Sequence, residues 1–215
     1  MPGMSEKPVR RGRRNKSADV LSAACRQFSR RGFDGTNMDS VAASARVTKM
    51  TVYANFGSKS GLFAAALEEL KRDMPAPEDL MRCAGRDLAE DLRGVAIRLL
   101  EVCLRSSTLG IYRMLIFPLE SDPYLGRNFW RGTIEPYHEA MRRILREADR
   151  RGVLTIADPA CASSLFFSLV IGEPTLRMLL GAECAMSRRA RTAHVKVAVD
   201  LFMAGHGRSP RTVAR

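Results

Sequence analysis

The chain has 215 residues, 46% hydrophobic and 27% charged, a balance that supplies one or two domains with a sizeable core and excludes a wholly disordered chain. Its formal net charge is +12, and residues 1–60 hold 12 Lys and Arg against 4 Asp and Glu. That asymmetry points to a polyanionic partner for the N-terminal part, either nucleic acid or an anionic membrane surface.

Residues 1–16 contain six Lys or Arg, two Pro and almost nothing to bury, so they read as a disordered basic arm. The arm has no apolar run and is not a secretory signal. From Ser17 a helical period begins, with Val20, Leu21, Ala24 and Phe28 on one face and Gly32 as its stop. Thr36, followed by Asp39, approximates a capping box for a short second helix carrying Met38, Val41, Ala42 and Ala45. A turn at 45–47 leads to a third helix, capped by Thr48 and stopped by Gly57. Ser58 caps a fourth, running to about Met74, with Leu62, Phe63, Ala66, Leu67 and Leu70 inward. Pro75 and Pro77 break it.

The remainder is also helical. A helix is predicted over about 79–106, weakened at Gly94 and Ser106, and a short apolar segment over 109–117 follows. Residues 118–126 read as a loop, and a long helix over about 128–151 ends at Gly152. Asp158 caps a helix that begins at Pro159, continues to about Leu180 and should kink at Pro174. Ser187 caps a last helix ending at Gly205. No strand alternation or internal repeat is visible, so the class is all-α with about nine helices. The near-apolar stretch 161–172 is too short to span a bilayer. The five cysteines, Cys25, Cys83, Cys103, Cys161 and Cys184, are scattered without a C-x-x-C, which fits a reducing cytoplasm.

Two short helices around a tight turn form a helix-turn-helix pattern. Across 36–63 the chain reads TNMDSVAASARVTKMTVYANFGSKSGLF. With Thr36, V-A-x-x-A at 41–45, V-T-K at 47–49, T-V-Y at 51–53 and F-G-S-K-x-x-L-F at 56–63, it resembles the N-terminal DNA-binding domain of the TetR family of bacterial transcriptional regulators. The likeness covers about residues 17–70. It departs from the family at Arg46, where glycine is common, and at Met50, where a small residue is common.

The resemblance implies four parts. They are the arm at 1–16, a helix-turn-helix domain at 17–74, a ligand-binding and dimerisation domain at 75–206, and a flexible tail at 207–215. Its expected partners are a palindromic double-stranded DNA operator, a small effector and a second copy of the chain, with no membrane. Thr36, Arg46, Thr48, Lys49, Met50, Thr51, Tyr53, Asn55 and Lys59 are the candidate DNA-contacting residues, with the third helix in the major groove. Lys49 suits guanine, Met50 or Thr51 a thymine methyl, Asn55 adenine or phosphate, and Tyr53 and Lys59 the backbone. Arg10, Arg11, Arg13 and Arg14 suit a minor groove or phosphates. Plainer readings stand beside these: Tyr53 as a packing residue, Lys59 as a solvated lysine, Met50 as cover for a neighbour, the arm as a solubilising tail.

The family further implies a homodimer through the last two helices. Ala162, Leu165, Phe166, Leu169, Val170 and Leu176, then Val195, Val199, Leu201, Phe202 and Met203, are more apolar than one core face needs. The alternative is a pair of helices buried within one chain. A family effector pocket would draw on Leu100, Leu104, Met114, Phe117, Trp130, Tyr137 and Phe167, unless these are plain core. The regulator is expected to be a repressor released by a hydrophobic ligand. An activator, a redox-responsive regulator triggered at Cys103 and a nonspecific architectural DNA binder are the alternatives. His138, His194 and His206 are isolated in sequence, and no H-E-x-x-H, phosphate loop or G-x-S-x-G occurs. No enzyme, metal or cofactor is expected.

Overall fold

The computed structural model describes residues 11–83, 85, 87–116, 123–182 and 186–207. They form eleven α-helices: α1 (Arg11–Arg31), α2 (Met38–Ser44), α3 (Lys49–Phe56), α4 (Lys59–Lys71), α5 (Pro77–Leu80), α6 (Leu88–Cys103), α7 (Ser106–Ile116), α8 (Pro123–Phe129), α9 (Glu135–Arg150), α10 (Pro159–Leu179) and α11 (Arg188–His206). A π-helical turn, Trp130–Ile134, joins α8 to α9. Among the described residues there is no strand, only an isolated bridge between Leu154 and Gly207.

Local capping chemistry sets many of the boundaries. The hydroxyls of Thr48, Ser58 and Ser187 and the carboxylate of Asp158 accept from the first-turn amides of α3, α4, α11 and α10. Other boundaries differ from the sequence expectation. Helix α1 begins at Arg11, not Ser17, so residues 11–16 are helix and not a disordered arm. Arg10 lies outside the described residues, as do the side chains of Arg11, Arg13 and Arg14. Residues 81–83, 85 and 87 are not helical, and Asp87 caps α6 instead. Gly94 does not interrupt α6. The expected loop at 118–126 is helical from Pro123, and 117–122 lie outside the described residues. At the C-terminal end, the Thr155 amide donates to the His206 carbonyl at 2.8 Å, which fastens the end of α11. Residues 208–215 of the expected tail lie outside the described residues.

Two apolar cores result. In the first, Val20, Ala24 and Phe28 of α1 meet Val41, Val52, Leu62, Phe63 and Ala66. The rings of Phe28 and Phe33 both stand edge-on to Phe63, at 5.1 and 5.3 Å between centroids, a geometry favoured by the ring quadrupoles. Gly61 lets α4 start hard against α3, since a Cβ there would lie 2.2 Å from the Phe56 carbonyl oxygen. The second core joins α5, α6, α9, α10 and α11 around Leu92, Leu99, Met141, Leu145, Phe166, Val199 and Phe202.

Helix α7 falls beyond the expected boundary at 75, yet it contributes Ile111, Met114 and Leu115 to the first core. Gly110 allows that approach, because a Cβ would come within 2.7 Å of Ser29 Oγ on α1. Helix α10 runs through Pro174. The missing proline N–H leaves the Val170 carbonyl without its helical donor, and His194 Nε2 of α11 donates to that oxygen at 2.9 Å. This bond ties α10 to α11 at the point where α10 is weakest. By length and composition α10 passes as a bilayer span, but it packs on α6, α9 and α11 and carries Glu173 and Arg177.

Candidate nucleic-acid interface and cavity

The turn between α2 and α3 is a Schellman motif. The Val47 amide donates to the Ala42 carbonyl and the Arg46 amide to Ala43, at 3.0 and 3.1 Å. Its left-handed position is Arg46, with φ of 54°, the one non-glycine residue of positive φ among the described residues. An arginine there costs about 1 kcal/mol relative to glycine. Its side chain is exposed beside α3, where a cation suits phosphate. Arg46→Gly is therefore expected to stabilise the fold by about 1 kcal/mol in thermal unfolding and to weaken duplex binding in anisotropy titrations. Loss of stability would show that the turn needs the arginine side chain for packing.

Helix α3 turns Val52 inward and leaves Thr48, Lys49, Met50, Tyr53 and Asn55 exposed, with Thr51 half-buried. Met50 is 82% exposed, so it is not held as packing within the chain, whereas Tyr53, 42% exposed, is more than half covered and still presents its edge outward. Several of these groups are held by neighbours. The Asn55 amide donates to the Thr51 carbonyl at 2.7 Å, so bidentate pairing with adenine requires that bond to open. Thr48 and Thr51 hydroxyls lie 2.9 Å apart. Lys49 Nζ sits 2.8 Å from Asp39 Oδ2, and this carboxylate raises the lysine's pKa.

Two expected contacts have different surroundings. Thr36 is buried, and its hydroxyl donates to the Gly32 carbonyl at 2.7 Å. It closes the end of α1, so its side chain does not face outward. The cap of α2 is Asn37, whose side chain accepts from the Asp39 amide, and the expected Thr36 capping box does not form. Lys59 is not a freely solvated lysine. Its ammonium lies 4.6 Å over the Phe33 ring and donates to the Asp34 carbonyl at 3.3 Å. Two of its three protons remain for a phosphate.

Sequence reading missed Gln27, which accepts from Ser40 and donates to Ser44, clasping α2 to α1. It also missed Asp39 as the partner of Lys49. No periodic pattern carries either signal, because each depends on how α2 is set against its neighbours.

A cavity of about 530 Å³ lies where α6, α7, the π turn, α9 and α10 meet. Of the seven expected lining residues, Trp130, Tyr137 and Phe167 are on its wall. Leu100 and Met114 are fully buried in the two cores instead, and Leu104 packs on the second core. Their helical spacing marks them as inward without saying which interior they enter. Phe117 lies outside the described residues.

Leu99, Val102, Tyr112, Phe129 and His138 are among the lining residues that sequence reading did not single out. Among the described residues, no Asp, Glu, Lys or Arg lines the cavity. Cys103 also lines it, and burial pushes its thiol up to about 11. A thiol so poorly ionised is a weak nucleophile and a poor redox trigger.

Comparison with known proteins follows this division of the chain. Residues 20–66 match the family model for bacterial regulatory proteins of the tetR family, and residues 90–208 match the C-terminal domain of AefR-like transcriptional repressors. A helix-turn-helix-type transcriptional repressor of Streptomyces coelicolor is 32% identical over 163 residues, 71% of this chain and 73% of that one. Among solved structures, the flavonoid-responsive regulator FrrA is 32% identical with a TM-score of 0.63, over 92% of this chain and 98% of its own. A TetR transcriptional regulator of Agrobacterium tumefaciens is 25% identical with a TM-score of 0.74, over 91% and 96%.

Proposed function

The chain belongs to the TetR family of bacterial transcriptional regulators, and from that premise we propose that it is a homodimeric repressor released from a palindromic operator by a small apolar effector. DNA binding and repression are the work of its named relatives. The release mechanism rests on one observation: α7 is shared. Its Thr108, Tyr112, Leu115 and Ile116 face the cavity, while Ile111, Met114 and Leu115 belong to the core that carries α2 and α3. A molecule that occupies the cavity and prefers one setting of α7 biases the position of the reading helices. The shift can be no larger than its difference in affinity for the two settings.

Dimerisation is supported by the second face of each long helix. Ala162, Phe166 and Val170 of α10 are buried, as are Val195, Val199 and Phe202 of α11. Leu165, Leu169, Leu176 and Leu180, with Val197 and Leu201, remain exposed. An exposed apolar stripe of this extent marks an interface, and two-fold pairing places two copies of α3 in successive major grooves. Leu165, Leu169, Leu176 and Leu201 are thus assigned to the partner, not to the interior of one chain.

Arg46, Thr48, Lys49, Met50, Thr51, Tyr53, Asn55 and Lys59 form the proposed DNA surface. The test is anisotropy titration of the DNA upstream of the protein's own gene against a shuffled duplex at two salt concentrations. Tight binding to the first alone, with a steep salt dependence, is the expected result. Equal affinity for both duplexes would remove the operator from this reading.

A further inference from the structure

The polar wall of the cavity narrows the chemistry of what enters it, given the reading of that cavity as the effector site. His138 of α9 is one of a group of rings: it stacks on Phe167 at 4.2 Å between centroids and lies 5.5 Å from Trp130. All three residues line the cavity, together with Phe129, Tyr112 and Tyr137. These rings already touch one another, so a flat ring would lie against the faces and edges they turn to the cavity, at the offsets aromatic pairs prefer.

The hydrogen bonds of His138 engage one ring nitrogen and leave the other over. Its Nδ1 is 3.1 Å from Ser163 Oγ, and Ser163 Oγ donates to the His138 carbonyl oxygen at 3.4 Å. A hydroxyl carries one proton. With that proton on the carbonyl, the hydroxyl accepts from Nδ1–H and Nε2 carries the lone pair; with it on Nδ1, Nε2 carries the ring proton instead. Among the described residues Nε2 has no hydrogen-bond partner. Burial also lowers the pKa of His138, which keeps the ring neutral. Tyr137 is already committed, since its hydroxyl donates to the Pro75 carbonyl at 2.6 Å. The hydroxyl-bearing residues Thr108, Tyr112, Ser164 and Ser168 line the cavity too, but His138 differs in having its second ring nitrogen held in a fixed plane. A charged ligand would lose its hydration here with no opposite charge among the described lining residues to replace it.

We propose that the effector is a neutral, flat aromatic molecule whose hydroxyl or N–H group donates a hydrogen bond to His138 Nε2. The aromatic wall sets the shape, and the bond to the fixed His138 ring sets the orientation. The proposal selects phenol-like donors over their methyl ethers and over aromatic carboxylates.

Three probes test it: 2-naphthol, 2-methoxynaphthalene and 2-naphthoate, measured by equilibrium dialysis against the whole protein. Trp130 is the only tryptophan, so its single indole N–H resonance reports whether a probe is in the cavity. The expected result is 2-naphthol bound about tenfold tighter than its methyl ether, as one hydrogen bond allows, with the carboxylate unbound. His138→Phe keeps a ring in the group and removes the acceptor. It is expected to abolish the preference while retaining the methyl ether. If the variant does not fold, the wild-type preference still decides.

Equal binding of 2-naphthol and its ether, or a preference that survives in His138→Phe, overturns the donor rule and leaves the effector cavity standing. No binding of any probe, with the Trp130 resonance unmoved, overturns both.

Discussion

Replacing Leu165 and Leu201 together by Asp is expected to yield a folded monomer that binds its operator at least about 100-fold more weakly than the wild type, the loss of linked half-site binding. Leu165 is 47% exposed and Leu201 58%, so in a single chain the new carboxylates remain in water and the melting temperature should move little. In the proposed dimer they would be buried opposite apolar surface, a placement that costs several kcal/mol per unpaired ion. Sedimentation and thermal unfolding, run beside anisotropy titration, separate the two effects. A variant that still sediments as a dimer would move the interface off this face of α10 and α11. A variant that unfolds would mean that the two leucines serve the chain's own core.

The same two helices mark what the sequence can and cannot convey. Their surplus of apolar residues was visible as surplus, because helical spacing counts how many faces are apolar. It did not divide them: Phe166 and Val170 turn inward while Leu165 and Leu169 turn outward, and only the packing of neighbouring helices makes that choice. The ends capped by Thr48, Ser58, Asp158 and Ser187 were legible because a cap is a bond between residues two or three apart. Thr36 misleads for the converse reason, since Asn37 stands beside it. Both residues can cap, and Thr36 was claimed by the Gly32 carbonyl. The break between α5 and α6, the π turn and the share of α7 in the first core are all tertiary outcomes. Met114 and Leu100 carried the right apolar signal and entered the wrong interior for a ligand. Within the candidate interface, residue types were legible on α3, but their tethers to Asp39 and Thr51 were not.

Lys49 and Asp39 give the second large effect. Lys49→Ala is expected to reduce operator affinity by about 10- to 100-fold, the range for losing one base contact of 1–3 kcal/mol. Asp39→Asn should have the opposite sign. The two side chains are half exposed, so their bond contributes little to folding, and neither substitution should shift thermal unfolding much. On DNA the balance differs. The Asp39 carboxylate stands beside the recognition helix, where it repels phosphate and occupies the lysine that a base or phosphate would use. Removing its charge should tighten binding to every duplex and steepen the salt dependence by up to about one unit, as Lys49 becomes available to a phosphate. Preference for the operator should fall, because the charge excludes encounters in which Lys49 finds only backbone. A double-mutant cycle measures the coupling: in the Lys49→Ala background, Asp39→Asn should keep only its general gain in affinity. If Asp39→Asn leaves binding to a shuffled duplex unchanged, the carboxylate does not compete with phosphate. The pair is then a solvated contact between α2 and α3, and operator choice rests on the remaining exposed groups of the recognition helix.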